Sequence, residues 1–145
     1  MISKTVLVLS EDFADGLASD RVGAALARGL GSGATLDCDL CSVGAGACTP
    51  AQVARLLHEH DFDRRLRTAR CLVIATARLD DDTLAGGVAF EAATRARQGG
   101  VPAYAVTARG RLDPFEARIV DLQVVLEAGS ARALSAAGRK LAALV

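Results

Sequence analysis

The sequence predicts one α/β domain built in three layers, with helices on both faces of a five-stranded parallel sheet. Three observations carry this reading. Strand-like and helix-like segments alternate through all 145 residues, with no linker, repeat or low-complexity stretch between them. The first strand-like run, TVLVL at 5–9, is almost continuously apolar, as a strand covered on both faces must be. Apolar residues make up 51% of the chain but aromatics only 3%, so the core must be assembled from Ala, Val and Leu. A chain of this length can bury most of its apolar surface as a single unit, residues 1–145.

After the first strand, Ser19 can cap a helix over 20–30, where Val22, Ala25, Leu26 and Leu30 form a helical stripe that GSG at 31–33 ends. A second strand is expected at 35–40. The small-residue loop CSVGAGAC then leads to Thr49-Pro50-Ala51-Gln52, a capping box with proline at the first helical position, opening a helix to about residue 60. DFDRRLRTAR reads as a short helix and CLVIA at 71–75 as the third strand. A helix over 87–97 is closed by Gly99-Gly100, and a fourth strand is expected over 101–107. Asp113-Pro114 opens another short helix, LQVVLE is the fifth strand, and Ser130 caps a last helix to residue 144. Five strands joined by helical crossovers predict the order 2-1-3-4-5, which is flavodoxin-like. Ligands of such sheets bind at the carboxyl ends of strands 1 and 3, where the order reverses. The loops SEDFADGLAS and TARLDDDTLAGG should face each other there.

Composition excludes several partner classes. Seventeen basic and seventeen acidic residues cancel, so no long-range field recruits nucleic acid or an anionic membrane, and five aromatic rings cannot build a base-stacking platform. The opening apolar run is too short for a signal peptide and no segment reaches a membrane span, so a cytoplasmic location is expected. Reduced thiols are then expected at Cys38, Cys41, Cys48 and Cys71. CDLC has the spacing of a zinc pair that Cys48, His58 and His60 could complete. In a strand, though, that odd spacing sends Cys38 and Cys41 to opposite faces, and small buried hydrophobes are the plainer reading.

Two stretches carry a resemblance. Ser10-Glu11-Asp12-Phe13-Ala14-Asp15-Gly16-Leu17-Ala18 and Ala75-Thr76-Ala77-Arg78-Leu79-Asp80, the latter followed by Thr83-Leu84 and Gly86-Gly87, resemble motifs of the type I glycerate kinases, bacterial enzymes that phosphorylate D-glycerate with ATP. The family's first strand ends in a stretch like Pro-Asp-Ser-Phe-Lys-Gly-Ser-Leu-Ser, and a later one in Gly-Glu-Gly-Arg-Leu-Asp. GVPAYAVTARGRLDP is similar to the family's C-terminal portion. The likeness covers roughly 5–49 and 62–129, and this chain resembles the family's discontinuous domain with its inserted second domain removed.

The departures fall on charged groups. Ala14 and Gly87 stand where the family has lysines, Thr76 stands for its glutamate, and Gly44-Ala45-Gly46-Ala47-Cys48-Thr49 replaces a stretch with two acids. Phosphoryl transfer relies on cationic stabilisation and metal-held acids, yet the only lysines are Lys4, ahead of strand 1, and Lys140, in the last helix. The resemblance therefore implies a degenerate relative without phosphotransfer, acting as a small-ligand-binding or protein-interaction module. Its alternative is an active glycerate kinase, alone or with a partner chain, in which case ATP and Mg2+ are the cofactors. Glu11, Asp12, Phe13, Thr76, Arg78, Asp80 and Thr107 are the candidate ligand-binding residues, with a small hydroxy acid or anion as ligand. Arg78 and Asp80 are the candidate catalytic pair if activity survives. Asp81 and Asp82 read as solvated; a Mg2+ site shared with Glu11 and Asp12 is the sharper alternative.

A receiver-like signalling domain is a further alternative on the same fold. Glu11, Asp12 and Thr107 fit it, but Ala75 stands where the phosphoacceptor belongs and no Lys follows strand 5. His58 and His60 suit the negative end of their helix. Leu134, Ala137, Leu141 and Leu144 form a core stripe on the last helix, whose remaining alanines leave room for a homodimer face.

Overall fold

The computed structural model describes residues 3–13, 16–33, 35–45, 49–79, 87–110 and 121–145. Its sheet contains β1 (Thr5–Glu11), β2 (Asp37–Gly44), β3 (Cys71–Leu79), β4 (Ala103–Gly110) and β5 (Leu122–Glu127), in the order β2-β1-β3-β4-β5 with every pair parallel. The helices are α1 (Ser19–Leu30), α2 (Pro50–Glu59), α3 (Phe62–Arg67), α4 (Val88–Gln98) and α5 (Ala131–Ala142). The expected fold class and strand order are therefore observed.

Period-two alternation divides the core between two faces. Leu7, Leu9, Leu72 and Ile74 point to one side, where Val53 and Leu57 of α2, Phe62 and Leu66 of α3, and Ala92 and Ala96 of α4 cover them. Val6, Val8, Val73 and Val106 point to the other, under Val22 and Leu26 of α1 and Leu134 and Leu141 of α5. Phe62 is fully buried, and each such side chain contributes roughly 1.5–3 kcal/mol on leaving water.

Local signals match their predicted places. Thr49 Oγ1 accepts from the Gln52 amide and Gln52 Oε1 from the Thr49 amide, closing the capping box with Pro50 at the first helical position. Ser130 caps α5 by accepting from the Ala133 amide. Cys38 and Cys41 do lie on opposite sides of the sheet, Cys38 against the α1/α5 core and Cys41 within the α2/α3/α4 core. Burial raises the Cys71 thiol to about 11, so it behaves as a packed hydrophobe and not as a nucleophile. Cys48 lies outside the described residues, as does the short helix expected at Asp113-Pro114.

Several boundaries differ from the sequence expectation. β3 and β4 run on to Leu79 and Gly110, beyond the apolar runs that suggested them, because the Thr-Ala-Arg segments at 76–78 and 107–109 pair with each other in register. β2 is shifted toward Gly44, and Ser19 lies inside α1, not ahead of it, with Ala18 in the capping position. Among the described residues no helix is long and apolar enough to cross a membrane.

Candidate functional site

β1 and β3 are hydrogen-bonded neighbours, so their carboxyl ends emerge side by side at the point where the strand order reverses. Val6 pairs with Cys71 and Ser10 with Ala75, which brings Glu11 beside Thr76. Thr76 Oγ1 donates to Glu11 Oε2 at 2.7 Å. Burial, reinforced by the neighbouring Asp12 charge, holds the Glu11 carboxyl above the ordinary glutamate value of 4.5, against the opposing pull of the Thr76 hydrogen bond.

The row continues across the sheet. Thr76 is in register with Thr107, and Thr107 with Glu127 at the end of β5. The alternation that turns Leu9, Ile74 and Ala105 toward α2, α3 and α4 turns Glu11, Thr76 and Thr107 to the same side. Thr107 is fully buried; its hydroxyl donates to the Arg109 carbonyl at 3.0 Å and accepts from the Arg109 amide. The Thr76 hydroxyl, whose proton goes to Glu11, also lies 3.4 Å from the Arg78 carbonyl. Two residues on, the exposed Arg78 and Arg109 are themselves in register.

Asp12 and Phe13 turn the other way, to the α1 side. The Asp12 carboxylate accepts from the Ser19 amide at 2.8 Å, so an aspartate seven residues earlier satisfies the first turn of α1. Asp12's own amide donates to the Gly44 carbonyl, and Ser10 Oγ donates to the Ser19 carbonyl. Ser19 Oγ accepts from the Gly44 amide and shares a hydrogen bond with Ser42 Oγ. These bonds hold a bulge at which Ser10 faces Ser42 but Glu11 faces Gly44. Phe13 is buried with Val22 and Leu26. The structure thus groups Glu11, Thr76, Arg78 and Thr107 on one face of the edge, and gives Asp12 and Phe13 to the seating of α1.

Asp80 lies outside the described residues, as do Asp81, Asp82, Thr83 and Ala14. Among the described residues no group of three His, Cys, Asp or Glu side chains converges as a metal site would. Lys4 precedes β1 at the amino edge. Lys140 lines a small groove of about 240 Å³ with Leu126 and Glu127, on the α5 side and beyond β4 from the switch point. Arg109 is not among the candidate ligand-binding residues, although a kinase built on this chain would have to rely on it together with Arg78 and Arg111. The signal for it was the repeated tripeptide Thr-Ala-Arg at 76–78 and 107–109.

No protein-family model matches the chain, and no curated protein does. Solved structures do. A protein assigned as glycerate kinase 2 from Salmonella typhimurium LT2 is similar with a TM-score of 0.50 over 74% of this chain, at 13% identity. The chain spans only 28% of that protein's length. A diflavin flavoprotein A3 from a Nostoc species is similar with a TM-score of 0.52 and 15% identity, over 99% of this chain and 94% of that one. Likeness at these identities establishes the fold, a flavodoxin-like α/β domain.

Proposed function

We propose that this chain is a small-ligand-binding module on a glycerate-kinase-like fold, without phosphotransfer activity of its own. One observation carries the reading: at the strand-order reversal a half-buried carboxyl, two buried threonines and two arginines share one face of the sheet. A small hydroxy acid suits that set, because arginine recognises carboxylates in forked geometry and Glu11 offers a partner to a hydroxyl.

The described residues of the site do not suit ATP and Mg2+. The Asp12 carboxylate is taken by the Ser19 amide, and Glu11 is held toward its protonated form, whereas Mg2+ needs ionised oxygen ligands. The chain's two lysines, Lys4 and Lys140, sit before β1 and on α5. A receiver-like domain needs an aspartate near the acids of β1, and Ala75, in register with Ser10, stands in its place.

A coupled ADP-release assay with ATP, Mg2+ and D-glycerate tests the loss of phosphotransfer. No turnover above background is expected; turnover abolished by Asp80→Asn would overturn the reading in favour of an active kinase. Binding is tested separately by thermal shift, since a ligand selective for the native state must stabilise it. Glycerate at saturating concentration is expected to raise Tm in the native chain and not in Arg78→Gln.

A further inference from the structure

β2 is an edge strand of eight residues with β1 on one side of it. The Asp37 amide donates to the Lys4 carbonyl beside β1, so the backbone of Asp37, Asp39 and Cys41 faces β1. That of Cys38, Leu40 and Ser42 then faces outward, and among the described residues no acceptor meets the Cys38 and Leu40 amides. The centre of this outer row is occupied from α3. Arg65 donates to the Leu40 carbonyl at 2.7 Å, and the same guanidinium holds both oxygens of Asp39 and the His60 carbonyl. These bonds fix it against the strand with only 18% of the side chain exposed. On the opposite face, Leu40 is 42% exposed beside α1.

An open strand edge is a template for another strand, and natural sheets blunt such edges with charge or cover. Arg65 supplies both, because an incoming strand needs the Leu40 carbonyl and the space that the guanidinium fills. The strand is also its own complement. Laid antiparallel on a second copy about Leu40, it sets Leu40 against Leu40, Cys38 against Ser42, Asp39 against Cys41 and Asp37 against Val43. No acid stands opposite an acid, and the outward-facing backbones meet as hydrogen-bonding pairs. A twofold axis closes the contact. We propose that Arg65 is a guard that keeps the β2 edge from pairing with a second copy of the chain. Without its guanidinium, two edges join antiparallel and two sheets become one.

Sedimentation velocity of the full chain between about 10 and 200 μM, combined with amide hydrogen exchange by NMR, tests it. In the native chain the Cys38 and Leu40 amides are expected to exchange at least about tenfold faster than those of Asp39 and Cys41. Arg65→Ala is expected to double the mass of the native species as concentration rises, and to slow Leu40 exchange by about tenfold or more. Adding Leu40→Lys sets two lysines opposite each other and is expected to restore the native mass. Asp39→Ala breaks the fork but leaves Arg65 on the Leu40 carbonyl, so it is expected to keep the native mass; this separates loss of the guard from loss of stability. Circular dichroism confirms that each variant is folded, and the exchange pattern of the native chain decides the matter where one is not. Protected Cys38 and Leu40 amides in the native chain overturn the proposal. So does native mass in Arg65→Ala, or association that Leu40→Lys leaves in place or that Asp39→Ala shares.

Discussion

Gly29 of α1 and Gly138 of α5 meet backbone to backbone, with no side chain between the two helices. A methyl group on Gly29 would lie 2.0 Å from the Ser135 carbonyl oxygen and 2.9 Å from Gly138 Cα. One on Gly138 would lie 2.4 Å from the Leu26 carbonyl oxygen. Beside this contact Ser135 Oγ donates to the Ala25 carbonyl at 3.0 Å, a buried bond between the same two helices. Because α1 also carries the hydrogen bonds of Ser19 to the bulge beside Glu11, this crossing fixes the helix that supports one wall of the candidate site.

Gly29→Ala and Gly138→Ala are each expected to destabilise the fold by about 2–3 kcal/mol in urea titration. The clash is with backbone that cannot rotate away, and it outweighs the roughly 1 kcal/mol that alanine gains over glycine in a helix. Gly31→Ala serves as the control. Nothing lies within 4 Å of its added methyl and its φ of −84° suits any residue, so a change within about 0.5 kcal/mol is expected.

Glu11 makes stability fall as pH rises. Its carboxyl is held above the ordinary value by burial, so the native state binds this proton more tightly than the unfolded chain does. The stabilisation from the protonated form is complete below pH 4.5 and is lost as pH climbs through the higher native value. Glu11→Gln keeps an acceptor for the Thr76 hydroxyl and removes the buried charge. Denaturation midpoints should show the variant more stable than the native chain at pH 7 and equal to it near pH 4. Equal stability at both would mean that Glu11 is fully ionised without cost.

Asp39 works in the opposite direction. Arg65 Nε and an Nη bond its two oxygens at 3.0 and 2.6 Å, which holds the carboxyl below the ordinary aspartate range. That contribution is present above pH 3.8 and is lost as pH falls through the lower native value. Arg65 also donates to the carbonyls of His60 and Leu40, tying α3 to the end of α2 and to the edge strand β2. Arg65→Ala should cost about 1–2 kcal/mol, and Arg65→Lys nearly as much, because an ammonium cannot reproduce the fork.

Thr49→Ala should cost about 1 kcal/mol by opening the capping box of α2. Thr49→Ser, which keeps the hydroxyl, should recover most of it.

The candidate site was legible in part. Glu11, Thr76 and Arg78 stand out through the family resemblance and the expected switch point, Thr107 through the likeness to a receiver domain, and they do share one face. Asp12 was named with them, but its carboxylate serves the Ser19 amide, because the chain turns back through Gly16 at φ +79° and delivers the start of α1 to it. No local pattern announces a cap supplied from seven residues away. The lengths of β3 and β4 were also hidden: Thr-Ala-Arg has no apolar run, and it is strand only because an identical segment lies alongside it.

The amino-acid sequence alone determined the alternation of strands and helices, the five-stranded parallel sheet with its order, the capping box at Thr49 and the placing of Cys38 and Cys41 on opposite faces. All of these follow from periodicity and local hydrogen-bonding chemistry, which act over a few residues. Tertiary structure decided that Gly29 faces Gly138, that Arg78 stands beside Arg109, and that Asp12 closes α1. Each of these depends on the register or crossing of segments distant in the chain, or on a turn that doubles it back, and is settled only when the sheet and its helices pack.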